Sequence, residues 1–277
     1  MKKRRIIVVC SIIGVLIVLV GVFAAMFNLQ HINVEIVKNP DIVNSYGANI
    51  CEDIVKSGDF AYGSNTLFSS YEESQKKIEK AYPFVKVEKM VRKFPDKMTI
   101  FVSGRKPEVI VEDPEALNTW YILDIDKKVL AVINNFSDLQ NGMYKDLPVV
   151  KGSDIKNVES GDFLNTKSAE IIVDILDGIY GKDKTKSSVM SDITLDLERE
   201  KYTIILRDGD TTGAKIEING VKEIKEKVFI AYSLYKLVEN DSRFPDKQKM
   251  YFIVGKNFVY ETNEKVIVKY DGEEVTW

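Results

Sequence analysis

From Ile6 to Phe27 the chain reads IIVVCSIIGVLIVLVGVFAAMF without a charged position, and Lys2, Lys3, Arg4 and Arg5 stand directly before it. A helix rises about 1.5 Å per residue, so a run of about 22 residues matches the roughly 30 Å hydrocarbon layer of a bilayer. The pattern predicts a single transmembrane helix over 6–27 and a short cytoplasmic tail over 1–5, because basic residues stay on the cytoplasmic side. The remainder is then expected outside the membrane. A cleaved signal peptide has an apolar core of about 7–15 residues and a small-residue cleavage site. Ala24 and Ala25 imitate such a site, but this run is too long for one.

After the run, apolar positions recur with periods of two and of about 3.6. In HINVEIVK, Ile32, Val34 and Ile36 alternate with polar residues, which predicts a half-buried strand. Asn39-Pro40 ends it, and Ile50, Ile54 and Val55 follow at roughly helical spacing. Ser70 to Ala81 reads as an amphipathic helix stopped by Tyr82-Pro83. Phe84 to Val91 alternates, Phe94-Pro95-Asp96-Lys97 turns, and MTIFV over 98–102 forms the next strand. Three strands covered by two helices can bury one compact core over residues 31–105.

A larger mixed α/β region is expected over 106–262. Tyr121-Ile122-Leu123 and Val129 to Val132 flank the polar turn Asp124 to Lys128, a hairpin pattern. LPVVKG over 147–152 is a short extended segment. Ala169, Ile172, Val173, Ile175, Leu176 and Ile179 form the apolar stripe of a helix over 165–179. Strands over 193–197, 202–206 and 214–218 follow, the last two joined by Asp208-Gly209-Asp210. A helix is predicted over 221–239. MYFIV over 250–254 is apolar at consecutive positions, which predicts a strand covered on both faces. Phe258-Val259-Tyr260 and Val266-Ile267-Val268 are further strand candidates. The fold class is therefore α+β behind one span.

Composition narrows the function. The net charge is −3, and removing the four N-terminal cations from it leaves about −7 on the remainder. An acidic exterior argues against nucleic acid and against docking on anionic headgroups. Cys10 lies in the apolar run and Cys51 outside it, so no internal disulfide is expected. Cys51 reads most simply as a small buried apolar residue, with an intermolecular disulfide or a reactive thiol as alternatives. His31 is the one histidine, which rules out a His-rich metal site and disfavours histidine-based nucleophilic catalysis. Asp124 with Asp126, and Asp208 with Asp210 and Gly213, read as turns rather than calcium loops. Asn135-Phe136-Ser137 and Asn240-Asp241-Ser242 are sequons of the kind common by chance. No phosphate loop, zinc-ligand spacing or nucleophile elbow occurs, so neither enzyme nor cofactor is expected.

Pro83-Phe84-Val85, Arg92-Lys93-Phe94-Pro95, Met98 to Val102 and Arg105-Lys106-Pro107 then take on a further meaning. Together they resemble the POTRA domain of the FtsQ/DivIB family of bacterial cell-division proteins. YILDIDKKVL with LPVVKG resembles the start of that family's β domain. The stretch from Asn39 to Leu67 is longer than the family's usual linker, and MYFIV lacks the acidic residue expected in its middle. The resemblance implies a POTRA-like domain over 31–105, a β domain over 106–262 with 263–277 as a C-terminal extension past it, and a septal scaffold without catalysis. It also implies bitopic partners of the FtsB/DivIC and FtsL kinds. The partner surface is expected at Tyr251, Ile253, Phe258 and Tyr260, where large rings offer area with few rotors. A membrane-anchored wall enzyme or ligand receptor, or a POTRA protein of another envelope assembly, are the alternatives.

Overall fold

The computed structural model describes residues 13–22, 29–60, 71–94, 96–139, 142–180, 189–209, 211–256 and 266–275. Of the expected span, 13–22 is helical and exposes Ile13, Val15 to Val20 and Val22, while 6–12 and 23–27 lie outside the described residues. Among the described residues no helix is long and apolar enough to cross a membrane, so the structure does not support the expected span. The molecule is a mixed α+β protein dividing into two compact units, 1–105 and 106–277.

The first unit runs β1 (His31–Lys38), α1 (Pro40–Asn44), α2 (Ile50–Ser57), α3 (Glu72–Ala81), β2 (Val85–Lys93) and β3 (Lys97–Gly104). The sheet order is β1-β3-β2, with β1 parallel and β2 antiparallel to the central β3. Asn39 adopts the left-handed conformation and Pro40 opens α1, a position where its missing N–H costs nothing. The mixed pattern after Asn39 thus folds as two short helices. Val43, Ile50, Ile54 and Ile78 from the helices meet Val85, Val87, Ile100 and Val102 from the sheet, and Ile32 and Val34 pack half-buried against them. A register shift between Val87 and Lys89 marks a bulge at Glu88, after which Met90 rather than Val91 packs on the core. The end of β3 lies tight on the strand-to-helix corner. A Cβ on Gly104 would stand 2.6 Å from the Asn39 carbonyl oxygen, and the Asn39 amide donates to the Gly104 carbonyl at 2.7 Å.

The second unit contains β4 (Val109–Glu112), β5 (Trp120–Leu123), β6 (Val129–Ile133), α4 (Phe136–Leu139), β7 (Val149–Lys151), α5 (Lys167–Tyr180), β8 (Met190–Asp196), β9 (Lys201–Asp208), β10 (Thr211–Asn219), α6 (Ile224–Val238), β11 (Met250–Val254), β12 (Ile267–Tyr270) and β13 (Glu273–Glu274). All its described strands join one sheet in the order β13-β12-β11-β10-β9-β8-β7-β4-β5-β6. β12 and β13 extend this sheet although they fall within 263–277. Ile172, Ile175 and Leu176 of α5 and Val228, Ala231 and Tyr235 of α6 share one core with Ile193, Tyr202, Ile204, Ile216, Ile218 and Phe252. Each such burial contributes about 1.5–3 kcal/mol. The two helices cross closely at Gly178, where a Cβ would meet the Lys225 carbonyl oxygen and Val228 Cβ, both at 2.7 Å.

Candidate partner-binding site

β10 and β11 lie parallel, joined by α6, with Lys215 beside Tyr251 and Glu217 beside Ile253. A parallel pair needs such a crossover. Ala214, Ile216 and Ile218 face the helices, so the pleat sends Lys215, Glu217 and Asn219 to the opposite face. β11 alternates in the same way. Met250, Phe252 and Val254 enter the core, whereas Tyr251 and Ile253 are half-buried on the opposite face. This corrects the expectation that both faces of MYFIV are covered alike. Tyrosine tolerates such a place because it has an apolar body and a polar tip.

Tyr251 is held by a polar cluster. Its hydroxyl donates to Glu217 Oε2. The Lys201 ammonium lies 2.6 Å from the same carboxylate, and the Asn219 amide donates to Glu217 Oε1 at 3.3 Å. Lys215 sits over the Tyr251 ring, 4.8 Å from its centroid. Burial pushes the Glu217 carboxyl up, but Lys201, Tyr251 and Asn219 outweigh it and hold the group below its ordinary range. Burial, together with the Glu217 hydrogen bond and charge, pushes the Tyr251 phenol up. The phenol stays protonated and the carboxylate ionised, the pairing that their hydrogen bond requires.

Ile253 stands opposite Ile267 on β12. Among the described residues, the outer edge of β12 is paired by β13 at Lys269 and Tyr270. Ile267 is 39% exposed. The structure therefore brings Tyr251 and Ile253 together on one face, near an edge, while Phe258 and Tyr260 lie outside the described residues. Sequence reasoning missed Glu217 and Lys201. Their facing was legible in the β9 and β10 alternation, but their meeting with Tyr251 depends on the parallel pairing across α6.

The other acidic motifs are accounted for locally. Asp124 Oδ1 accepts from the Asp126 and Lys128 backbone N–H groups at 2.9 and 2.8 Å, closing its own turn. Asp208 pairs with Lys247 at 3.0 Å, and Asp210 lies outside the described residues. Among the described residues no group of three metal-ligating side chains occurs. Lys227, fully buried, donates to the Asn219 and Lys256 carbonyls at 2.8 and 3.3 Å.

Arg105, in the Arg105-Lys106-Pro107 segment, also gains a physical role. Arg105 forms an ion pair with Glu79 of α3 at 2.9 Å, with side chains 4% and 7% exposed. Glu79 also accepts from the Val87 backbone N–H at 3.0 Å. Arg105 thereby ties the end of β3 to α3 and β2, all inside the first unit.

No protein-family model matches the chain. Among curated proteins it is similar to the cell division protein FtsQ of Syntrophotalea carbinolica (strain DSM 2380 / NBRC 103641 / GraBd1), with 28% identity over 145 residues. The match covers 52% of this chain and 48% of that protein, so the chain spans about half the length of the curated relative it matches. Together with the motifs around Arg105, this similarity supports a distant relationship to the FtsQ/DivIB-like family.

Proposed function

We propose that this protein is a membrane-anchored, extracytoplasmic scaffold of the bacterial division complex, acting without catalysis at the septum. The observation that carries the reading is the similarity to a cell division protein FtsQ. In this proposal residues 6–27 anchor the chain, on the strength of their apolar sequence and the preceding basic patch. Residues 31–105 serve as a POTRA-like module, and the second unit presents the partner surface. The partners are bitopic proteins of the FtsB/DivIC and FtsL kinds, which meet Tyr251, Ile253, Phe258 and Tyr260. Preorganisation of Tyr251 by Glu217 and Lys215 supports that choice, because a ring already fixed loses little entropy on binding.

Two measurements test the proposal. A fluorescent fusion of the full chain should gather at midcell in dividing cells, and a uniform membrane signal would overturn the division role. Replacing Tyr251 and Ile253 with Ala should weaken capture of the bitopic partners while the circular dichroism melt stays cooperative. Undiminished capture would remove the assigned surface and leave the division role to the localisation result.

A further inference from the structure

β1 is an edge strand, with β3 on one side and no described strand on the other. Its Ile32, Val34 and Ile36 point to the helix side and remain only half-buried. Beside them a groove of about 390 Å³ opens, lined by Ile32, Asn33, Val34, Cys51, Glu52, Val55 and Lys56. An edge strand carries backbone donors and acceptors ready for another strand. Sheets guard such edges with proline, charged side chains, bulges or short length. β1 is eight residues long without proline, its register shift and Lys38 lie at its C-terminal end, and Glu35 is the one acidic side chain in its middle.

The sequence of this edge is its own complement. In an antiparallel pair, directly opposite residues share a face of the sheet. With a two-fold axis at Val34, Val34 meets its copy, and Ile32 meets Ile36 of the other strand twice. All three apolar side chains then join across the seam on the groove side. On the other face each Asn33 lies opposite Glu35, an amide donor against a carboxylate acceptor. The register centred on Glu35 instead sets two carboxylates together and places Ile32 against Lys38. The rim carries the same symmetry. Glu52 and Lys56 stand four residues apart on α2, flanking the apolar Cys51 and Val55. A two-fold axis normal to the sheet sets the two α2 helices antiparallel on one side, where each Glu52 comes opposite the other chain's Lys56.

We propose that this groove receives a second copy of the chain, forming a two-fold dimer through antiparallel β1 strands centred on Val34. The occupant is fixed by complementarity of both apolar spacing and charge, the requirement of an isologous interface. The inference rests on the first unit alone and is independent of the division role.

The test uses the full chain in detergent micelles. Sedimentation velocity should show a dimer. Glu52→Lys or Lys56→Glu alone should weaken it by about tenfold, since each creates two like-charge contacts per dimer. The double change E52K/K56E should restore it. In chains lacking Cys10 and Cys51, an Asn33→Cys chain mixed with a Glu35→Cys chain should form a mixed disulfide under mild oxidation. Asn33, Glu35, Glu52 and Lys56 are exposed and Cys51 is half-buried, so these changes preserve the fold of the first unit. A monomer at the highest concentration reached, a double change as weak as the single ones, or a missing mixed disulfide overturns the proposal.

Discussion

Replacing Glu79 with Ala tests how the first unit is held together. In the folded chain its carboxylate forms the ion pair with Arg105 at 2.9 Å and accepts from the Val87 backbone N–H at 3.0 Å and from the Gln75 side-chain amide at 3.3 Å. Both side chains of the pair are less than a tenth exposed, so water cannot replace what is lost. Leaving one partner of a buried ion pair uncompensated costs about 3–5 kcal/mol. The stranded N–H adds about 1–3 kcal/mol when no new acceptor reaches it. Against a typical stability of about 5–15 kcal/mol, the loss consumes about a quarter or more of what holds the unit. Glu79→Gln keeps an acceptor for Val87 but removes the charge, so its cost should fall between wild type and Ala. Arg105→Met with Glu79→Met should recover much of the loss, because a well-packed apolar pair replaces a buried ion pair at little cost. Two units in one chain make a single denaturation midpoint ambiguous. Native-state hydrogen exchange of the full protein avoids this by reporting β2 and β3 separately from the second unit. Protection over 85–104 should fall by about three to six powers of ten in Glu79→Ala, since about 1.4 kcal/mol is tenfold. A fall of less than about tenfold in that region, or a double Met variant worse than Glu79→Ala, would refute the reasoning.

Two further outcomes follow from local geometry. Gly178→Val should destabilise the second unit by about 1–3 kcal/mol, since even a Cβ lands 2.7 Å from the Lys225 carbonyl oxygen; an unchanged near-ultraviolet melt would show that α5 and α6 do not cross there. Burial pushes the Asp113 carboxyl up, but Tyr121 and backbone N–H groups outweigh it and hold it below the ordinary 3.8. Its folded value lies below the unfolded one, so its stabilising contribution is present above 3.8 and is lost as pH falls through the folded value. Asp113→Asn should therefore flatten the acid limb of a stability-against-pH curve, and an unchanged limb would reject that role.

Several elements were legible because they are local. HINVEIVK alternates and forms β1, and the stripe from Ala169 to Ile179 forms α5 within two residues of its expected bounds. The β9 and β10 hairpin follows from Asp208-Gly209 between two alternating runs. What failed was non-local. The last turn of α3 is rich in charge and reads as a solvated face, yet Glu79 is buried because Arg105 arrives from 26 residues away. MYFIV reads as covered on both faces because tyrosine and isoleucine score as apolar wherever they point. The bulge at Glu88 shifts the phase of β2 midway, so a regular alternation names the wrong inward residue after it. The ten-strand order includes parallel neighbours β4 with β7, β7 with β8 and β10 with β11, and no periodicity within a strand selects its neighbours.

The candidate face has a consequence for how a partner binds there under the proposed function. The Tyr251 hydroxyl is committed to Glu217, and the ring is capped by Lys215. Breaking that hydroxyl bond on binding would leave a buried carboxylate with one donor fewer, a loss of about 1.5–3 kcal/mol for a bond to a charged group. Tyr251 therefore offers ring area and not a free donor. Hydrogen bonds to an extended partner have to come from backbone. The nearest backbone without a described strand beside it is β12 at Ile267, which shares the face of Ile253. Apolar contact at Tyr251 and Ile253 and strand pairing at β12 are then two separable contributions. Under this reading Tyr251→Phe, which keeps the ring but frees it from Glu217, weakens partner capture less than Tyr251→Ala, whereas a proline at Ile267 weakens it even though the ring is intact.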